Sequence, residues 1–152
     1  MQNNTAAIEL SDIDFCWGSA RNDFRIQVKD FELEKSESVI LVGPSGGGKS
    51  TLLSLICGIV KPQNGIIKIL GKDFQKMSNP EKDSFRADNI GIIFQQFNLL
   101  PYLSALDNVI LPLEFSFARK EASGKITAKY NAEARRLLKS LSITPDALGE
   151  QK

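Results

Sequence analysis

The chain is short of several things that carry chemistry elsewhere. It has no histidine, which removes imidazole general bases, imidazole metal ligands and Ser-His-Asp relays. It has two cysteines, Cys16 and Cys57, too far apart for a metal-binding spacing. Cys57 falls in a run with helical apolar spacing and reads as a small core residue. No apolar stretch approaches the roughly 20 residues a membrane-spanning helix needs, so no direct membrane insertion is expected. The N-terminus Met1-Gln2-Asn3-Asn4-Thr5 lacks the basic-then-apolar pattern of a secretory leader. Together these features favour the reducing cytosol. An excess of either charge is missing too. Nineteen Lys and Arg against eighteen Asp and Glu leave a formal net charge of +1, so there is no bulk attraction to nucleic acid or to an anionic membrane surface. No internal repeat and no low-complexity tract occurs.

What is present is ordinary in bulk and specific in one place. Hydrophobic residues make up 42% and charged residues 24% of 152 residues, the profile of a globular protein long enough for one real core. The specific place is Gly43-Pro44-Ser45-Gly46-Gly47-Gly48-Lys49-Ser50, with the spacing G-x-x-x-x-G-K-[ST] of a phosphate-binding loop. An apolar β-branched run, Ser38 to Val42, precedes it, and Thr51 to Cys57 follows with helical spacing. Strand, glycine loop and helix in that order are the context the motif needs, so a polyphosphate is the expected ligand.

The residue types suit that ligand. A loop that wraps a triphosphate must turn backbone N–H groups inward at close range, which glycine permits at low cost. The helix starting near Lys49 presents free N–H groups and a positive dipole end. Lys49 supplies a mobile point charge for the β- and γ-phosphates. Ser50 offers a hydroxyl to Mg²⁺, a hard ion that takes oxygen ligands. A plain glycine turn would explain the glycines but not a lysine at a helix start, where the dipole repels it unless an anion is bound.

Along the chain, Ile8 to Phe15 and Phe24 to Val28 alternate apolar and polar residues and pair plausibly as a hairpin, with 31–33 continuing after a bulge near Asp30. Residues 39–42 are apolar throughout and predict a strand covered on both faces. The helix after the glycine loop should end at Gly58, and Pro62 to Gly65 is a turn signal. Residues 66–71 read as a strand, Ser78 to Glu81 as a helix start with Pro80 in the first turn, and 90–94 as a second buried strand. Residues 98–112, with Pro101 and Pro112, read as loop with short helix, and Ser123-Gly124 as a flexible break. From Thr127 to Leu141, Tyr130, Leu137, Leu138 and Leu141 fall on one helical face. Lys129, Arg135, Arg136 and Lys139 fall on the other, a solvated face that lacks the aromatic interleaving of a nucleic-acid site.

A phosphate loop alone leaves kinases, GTPases and helicases open. The segment from Ile90 to Pro101 narrows the choice, because an apolar strand delivers Gln95 at its end and an apolar loop follows. Taken alone, Gln95 reads as a polar residue at a strand end. With the glycine loop, these residues resemble the ATP-binding domain of ABC transporters. Gly43 to Ser50 is similar to that family's Walker A, and Phe94-Gln95 to its Q-loop, which contacts Mg²⁺ and the coupling helices of the membrane subunit. Leu99-Leu100-Pro101 through Asp107-Asn108 to Leu113 is similar to the branch that includes lipoprotein-release and macrolide-export ATPases. Phe15-Cys16-Trp17 matches the place of the A-loop, where an aromatic ring stacks on adenine, and the alignment puts Trp17 there. Without the family, Trp17 reads as a core residue. The guanine-reading Asn-Lys-x-Asp pattern of GTPases is absent. Lys35-Ser36-Glu37 departs from the family, which has glycine before the glutamate; a positive φ there would strain Ser36.

The resemblance implies an α/β fold, a P-loop NTPase core of the ABC type with an N-terminal antiparallel β-subdomain. It covers Ile8 to about Leu141 and stops before the LSGGQ-type signature and the Walker B strand ending in Asp-Glu. Residues 1–97 are expected to form an incomplete nucleotide-binding core with its β-subdomain. Residues 98–152 are expected to carry the Q-loop continuation and the first part of the helical subdomain. Implied ligands are ATP and Mg²⁺, held by Trp17, Gly43, Pro44, Ser45, Gly46, Gly47, Gly48, Lys49, Ser50 and Thr51, with Ser50 and Gln95 toward the metal. Lys49 and Gln95 contribute to a catalytic set that is incomplete without Walker B. Implied partners are membrane-spanning transporter subunits and a second ATP-binding domain or a complementing chain, at the inner face of the cell membrane. Two functions compete: an energy-coupling ATPase subunit, and a non-catalytic binding module that regulates an intact transporter. The expected strands would show apolar sheet edges to solvent if no later strands pair with them.

Overall fold

The computed structural model describes residues 6–18, 24–96, 98–116 and 127–143. The expected break at 123–124 and the side chain of Lys129 lie outside the described residues. Two compact units divide the chain, Met1–Lys82 and Asp83–Lys152.

The first unit is built on a four-stranded antiparallel sheet, β1 (Ile8–Cys16), β2 (Arg25–Leu33), β3 (Asn64–Ile69) and β4 (Lys72–Asp73), in the order β2-β1-β3-β4. The β1–β2 hairpin is the one that the alternating pattern predicts. Its register runs unbroken from Ile8 opposite Leu33 to Cys16 opposite Arg25, so there is no bulge at Asp30. The bulge sits instead on the other side of β1. The pairing with β3 slips by one residue between Ser11 and Asp14, and Asp12 takes φ 49°. An extra residue shifts the side-chain alternation by one. Leu10, Ile13 and Phe15 can therefore all be buried although their spacing is irregular. Gly65 faces this bulge with φ 99°, and a Cβ there would lie 2.5 Å from the Asp12 carbonyl oxygen.

The strand expected over 66–71 ends at Ile69. Leu70 and Gly71 both have positive φ, 50° and 75°, and turn the chain into β4. Asp73 then caps a short 3₁₀ turn, Phe74–Lys76, by accepting from the Gln75 N–H at 2.9 Å. Helix α1 (Lys49–Ile56) buries Leu55 completely. It ends as the glycine signal predicts: Gly58 has φ 65°, its N–H reaches the Leu55 carbonyl, and the Ile59 N–H reaches that of Ser54. Ser36 has φ 68°, the strained value expected where a glycine would be relaxed.

Helix α2 (Asn79–Asn89) has Pro80 in its first turn, as expected. Its start is fastened by Ser78, whose backbone N–H and hydroxyl both donate to Glu81 Oε2, at 2.8 and 2.6 Å. In the second unit, α3 (Ala105–Phe115) is longer than the short helix expected and runs through Pro112. Ser104 caps it by accepting from the Asp107 N–H at 3.1 Å. Helix α4 (Thr127–Ser140) packs on α3. Its buried row is Tyr130, Ala134 and Leu138, whereas Leu137 and Leu141 are exposed. The face is thus rotated from the one expected: spacing by four aligns side chains along one row, and Ala134 is the close-contact point that hydrophobicity alone overlooks. Arg135, Arg136 and Lys139 are exposed, in agreement with a solvated face.

Two expectations fail together. Residues 39–42 and 90–94 carry no regular secondary structure and enter no ladder with any described residue. Ile40, Val42 and Ile93 are 84%, 90% and 99% exposed. A continuous apolar run states what a strand needs on both faces, but a strand exists only where a neighbour takes up its N–H and C=O groups.

Candidate functional site

The glycine loop runs from segment 39–42 into α1, within the first unit. The Gly47 N–H donates to the Pro44 carbonyl at 3.1 Å and closes a turn whose third residue, Gly46, has φ 77°. Gly48 follows with φ 86° and is the residue before α1. Two glycines in the left-handed region within three residues turn successive peptide groups so that the loop can form a concave nest of N–H donors. Gly48 is doubly constrained. A Cβ there would lie 2.5 Å from Phe24 Cζ and 3.0 Å from Ile26 Cδ1.

The start of α1 is suited to an anion. Gly48 offers no capping side chain, and the first turn holds no acidic residue, so the terminal N–H groups keep their partial positive charge. Lys49 adds a full one. Its ammonium donates to the carbonyls of Gly43 and Pro44 at 2.8 and 2.7 Å. Those bonds hold the cation across the loop, where repulsion from the helix end would otherwise push it away. Gly43, Pro44, Ser45, Gly46, Gly47 and Ser50 are all exposed. The Ser50 hydroxyl, in the first turn of α1, is therefore accessible to a hydrated divalent ion.

Trp17 stands at the same corner. It follows the last residue of β1, and its indole Nε1–H donates to Thr51 Oγ1 in α1 at 3.3 Å. Its ring meets the buried Phe15 edge-on at 5.0 Å and is 52% exposed. Trp17 is therefore not a core residue; about half of it is exposed, next to the helix that follows the phosphate loop. Phe15 supplies the apolar support.

The structure thus brings together Trp17, Thr51 and the loop from Gly43 to Ser50 in one unit. Gln95 belongs to the second unit, exposed at a bend after segment 90–94. Three residues of the corner have no motif to mark them. Phe24 and Ile26 press on Gly48, and Gln63 bonds to β1 beside Trp17. Phe24 and Ile26 were readable only as hairpin residues, and Gln63 only as part of a turn.

Comparison with known proteins agrees with this geometry. The family profile described as ABC transporter matches residues 26–150. An uncharacterized ABC transporter ATP-binding protein of Mycobacterium tuberculosis is 38% identical over 99% of this chain and 61% of its own length. The bacitracin export ATP-binding protein BceA of Halalkalibacterium halodurans is 37% identical over 79% of this chain and 48% of its own. Among solved structures, the dimeric ATP-binding cassette MJ0796 in a post-hydrolysis state with ADP and Pi superposes with a TM-score of 0.75. It shares 31% identity, over 93% of this chain and 60% of that one. The chain therefore spans about three fifths of the length of the M. tuberculosis relative and of the solved cassette.

Proposed function

Because the chain belongs to the ABC transporter ATP-binding family, we propose that its glycine loop binds ATP together with Mg²⁺ and that it acts as the energy-coupling part of a transporter. One observation carries this: positive-φ glycines lead into a helix end with no capping side chain and no acidic residue in its first turn, spanned by the Lys49 ammonium. That arrangement favours a polyanion and little else. Lys49 is assigned to the β- and γ-phosphates, and the N–H groups from Gly46 to Ser50 to the phosphate oxygens. Ser50 and Gln95 are assigned to the metal, and Trp17 to the adenine ring. Bound Mg²⁺ would offset phosphate charge during transfer.

The same reading assigns residues 1–97 to the nucleotide-binding core and 98–152 to the Q-loop continuation and helical part. It assigns membrane-spanning subunits and a second ATP-binding domain as partners, at the inner face of the cell membrane. The solved cassette is described as dimeric with ADP and Pi, and BceA by name as an export ATP-binding protein; both support it. After Gln95 these 152 residues hold no apolar strand ending in Asp-Glu. The chain tested by itself should bind ATP and scarcely hydrolyse it.

Titration of the 152-residue chain with ATP and Mg²⁺ tests this. Saturable binding in the micromolar range is expected, weaker by roughly 10- to 100-fold in Lys49→Ala, the span for a charge-assisted phosphate contact. Phosphate release should not exceed that of Lys49→Ala. A folded chain with no saturable ATP binding would overturn the proposal.

A further inference from the structure

Beside the phosphate loop, β1 is held by a device outside the sheet ladder. Asp14 pairs with Asn64 at the start of β3. Continuing that register puts Pro62 opposite Cys16, and proline has no N–H to donate. The side chain of Gln63 takes over. Its Oε1 accepts from the Cys16 N–H at 2.9 Å, and its Nε2 donates to the Cys16 carbonyl at 2.9 Å. The Gln63 backbone N–H donates to the Asp14 carbonyl, also at 2.9 Å. A primary amide making both bonds to one residue reproduces what a neighbouring strand's peptide groups would supply.

Cys16 is the residue before Trp17. On the opposite edge, the Trp17 N–H bonds to the Phe24 carbonyl at 3.3 Å, and its indole bonds to Thr51. The backbone that carries the indole is thus fixed by Gln63 on one side and by β2 on the other. The ring plane is fixed by Thr51 and Phe15. Of these supports, Gln63 is the one that arrives from the turn between α1 and β3, and it reaches Cys16 through its side chain.

We propose that Gln63 is a positioning residue for base recognition: its amide sets the end of β1 so that the exposed indole of Trp17 meets the nucleotide's aromatic base. The inference rests on the nucleotide reading above and adds a residue that touches neither base nor phosphate. It separates two parts of affinity. The phosphate loop holds the triphosphate whatever Gln63 does, whereas stacking depends on where the indole stands.

The experiment compares ATP with inorganic tripolyphosphate, which has the charge and no base, on the full 152-residue chain. Trp17 is the single tryptophan, so its emission reports the site directly. In Gln63→Ala, ATP affinity should fall roughly three- to tenfold, the range for hydrogen bonds of this type, with a smaller ATP-induced change in Trp17 emission. Tripolyphosphate affinity should stay within about twofold of wild type. Gln63→Glu retains the acceptor for the Cys16 N–H and loses the donor, and should fall between the two; it also decides the matter should Gln63→Ala not fold. Unchanged ATP affinity and emission in these variants would overturn the inference. So would an equal loss for both ligands, which would mark a merely structural role. A wild-type chain that binds neither ligand overturns the nucleotide reading itself.

Discussion

Gly48 is the position where the loop's conformation and its packing make independent demands, and Gly48→Ala measures both. An L-residue at φ 86° leaves the favourable regions, which costs about 1–2 kcal/mol. The added methyl would also lie 2.5 Å from Phe24 Cζ and 3.0 Å from Ile26 Cδ1. Both are the far ends of side chains, and Phe24 is 40% exposed, so the ring can swing outward. Moving it forfeits part of its contact with the loop, about 1 kcal/mol for a ring half in solvent. The sum is about 2–3 kcal/mol, a large share of the stability of a small domain.

Urea unfolding followed by Trp17 emission reads this out, because the indole sits at the same corner. The two contributions separate in a cycle with Phe24→Ala. Where the ring is already gone, Gly48→Ala should cost the conformational part, about 1–2 kcal/mol, and a small shift of Ile26 Cδ1. Gly43→Ala is the control: a Cβ there meets nothing within 4 Å and φ is not positive, so unfolding should shift by under about 0.5 kcal/mol. A Gly48→Ala chain as stable as wild type, or a cost unaltered by removing Phe24, would refute the reasoning.

Gly65→Ala should be harsher, because its Cβ would lie 2.5 Å from the Asp12 carbonyl oxygen and 2.7 Å from Ile13 Cα. Backbone cannot swing aside as Phe24 can, so loss of soluble folded chain is expected, checked by circular dichroism of the purified variant. Asn108→Ala should release the segment before α3, since that side chain accepts from the Leu100 N–H and donates to the carbonyls of Leu100, Leu103 and Ser104. Hydrogen exchange at the Leu100 amide should quicken roughly tenfold or more. Acid should also weaken the start of α2. The Ser78 hydroxyl, and then its backbone N–H, hold the Glu81 carboxyl below the usual glutamate range. A carboxyl with a lowered folded pKa adds stability that is complete above its unfolded value and is lost as pH falls through the folded one. The urea midpoint should therefore fall on acidification below about pH 4.5, and fall less in Glu81→Gln.

The parts of the structure that follow from local rules could be read in advance. The glycine loop, the α1 terminus at Gly58, the helix start at Ser78 to Glu81 and the β1–β2 hairpin each depend on a few adjacent residues, and each stands where expected. The loop also carried the chemistry proposed for the site, because phosphate binding by backbone N–H groups demands a spacing few other tasks require. Partnership was harder to read. Ile66-Ile67 and Val39-Ile40 are equally apolar and β-branched, yet Ile67 is 1% exposed and Ile40 84%. The first pair lies on a strand held by β1 and β4, and the second enters no ladder with any described residue. The difference is in which chains run alongside, and that is not a property of either segment.

The Gln63 clamp shows why a positioning residue escapes a motif search. Its job arises from three facts distant in sequence: a proline at 62, a register shift near Asp12 and an aromatic ring at 17. Had β1 and β3 kept the register of Ile8 opposite Ile69, residue 61 would face Cys16, and Lys61 has a backbone N–H to continue the ladder. The one-residue slip puts Pro62 there instead, and a neighbouring side chain must supply the pairing. A bulge is legible only weakly as a break in alternation, here the adjacent polar residues Ser11 and Asp12. The requirement for glutamine at 63 is a consequence of that break, and it becomes visible only once the strands are laid side by side.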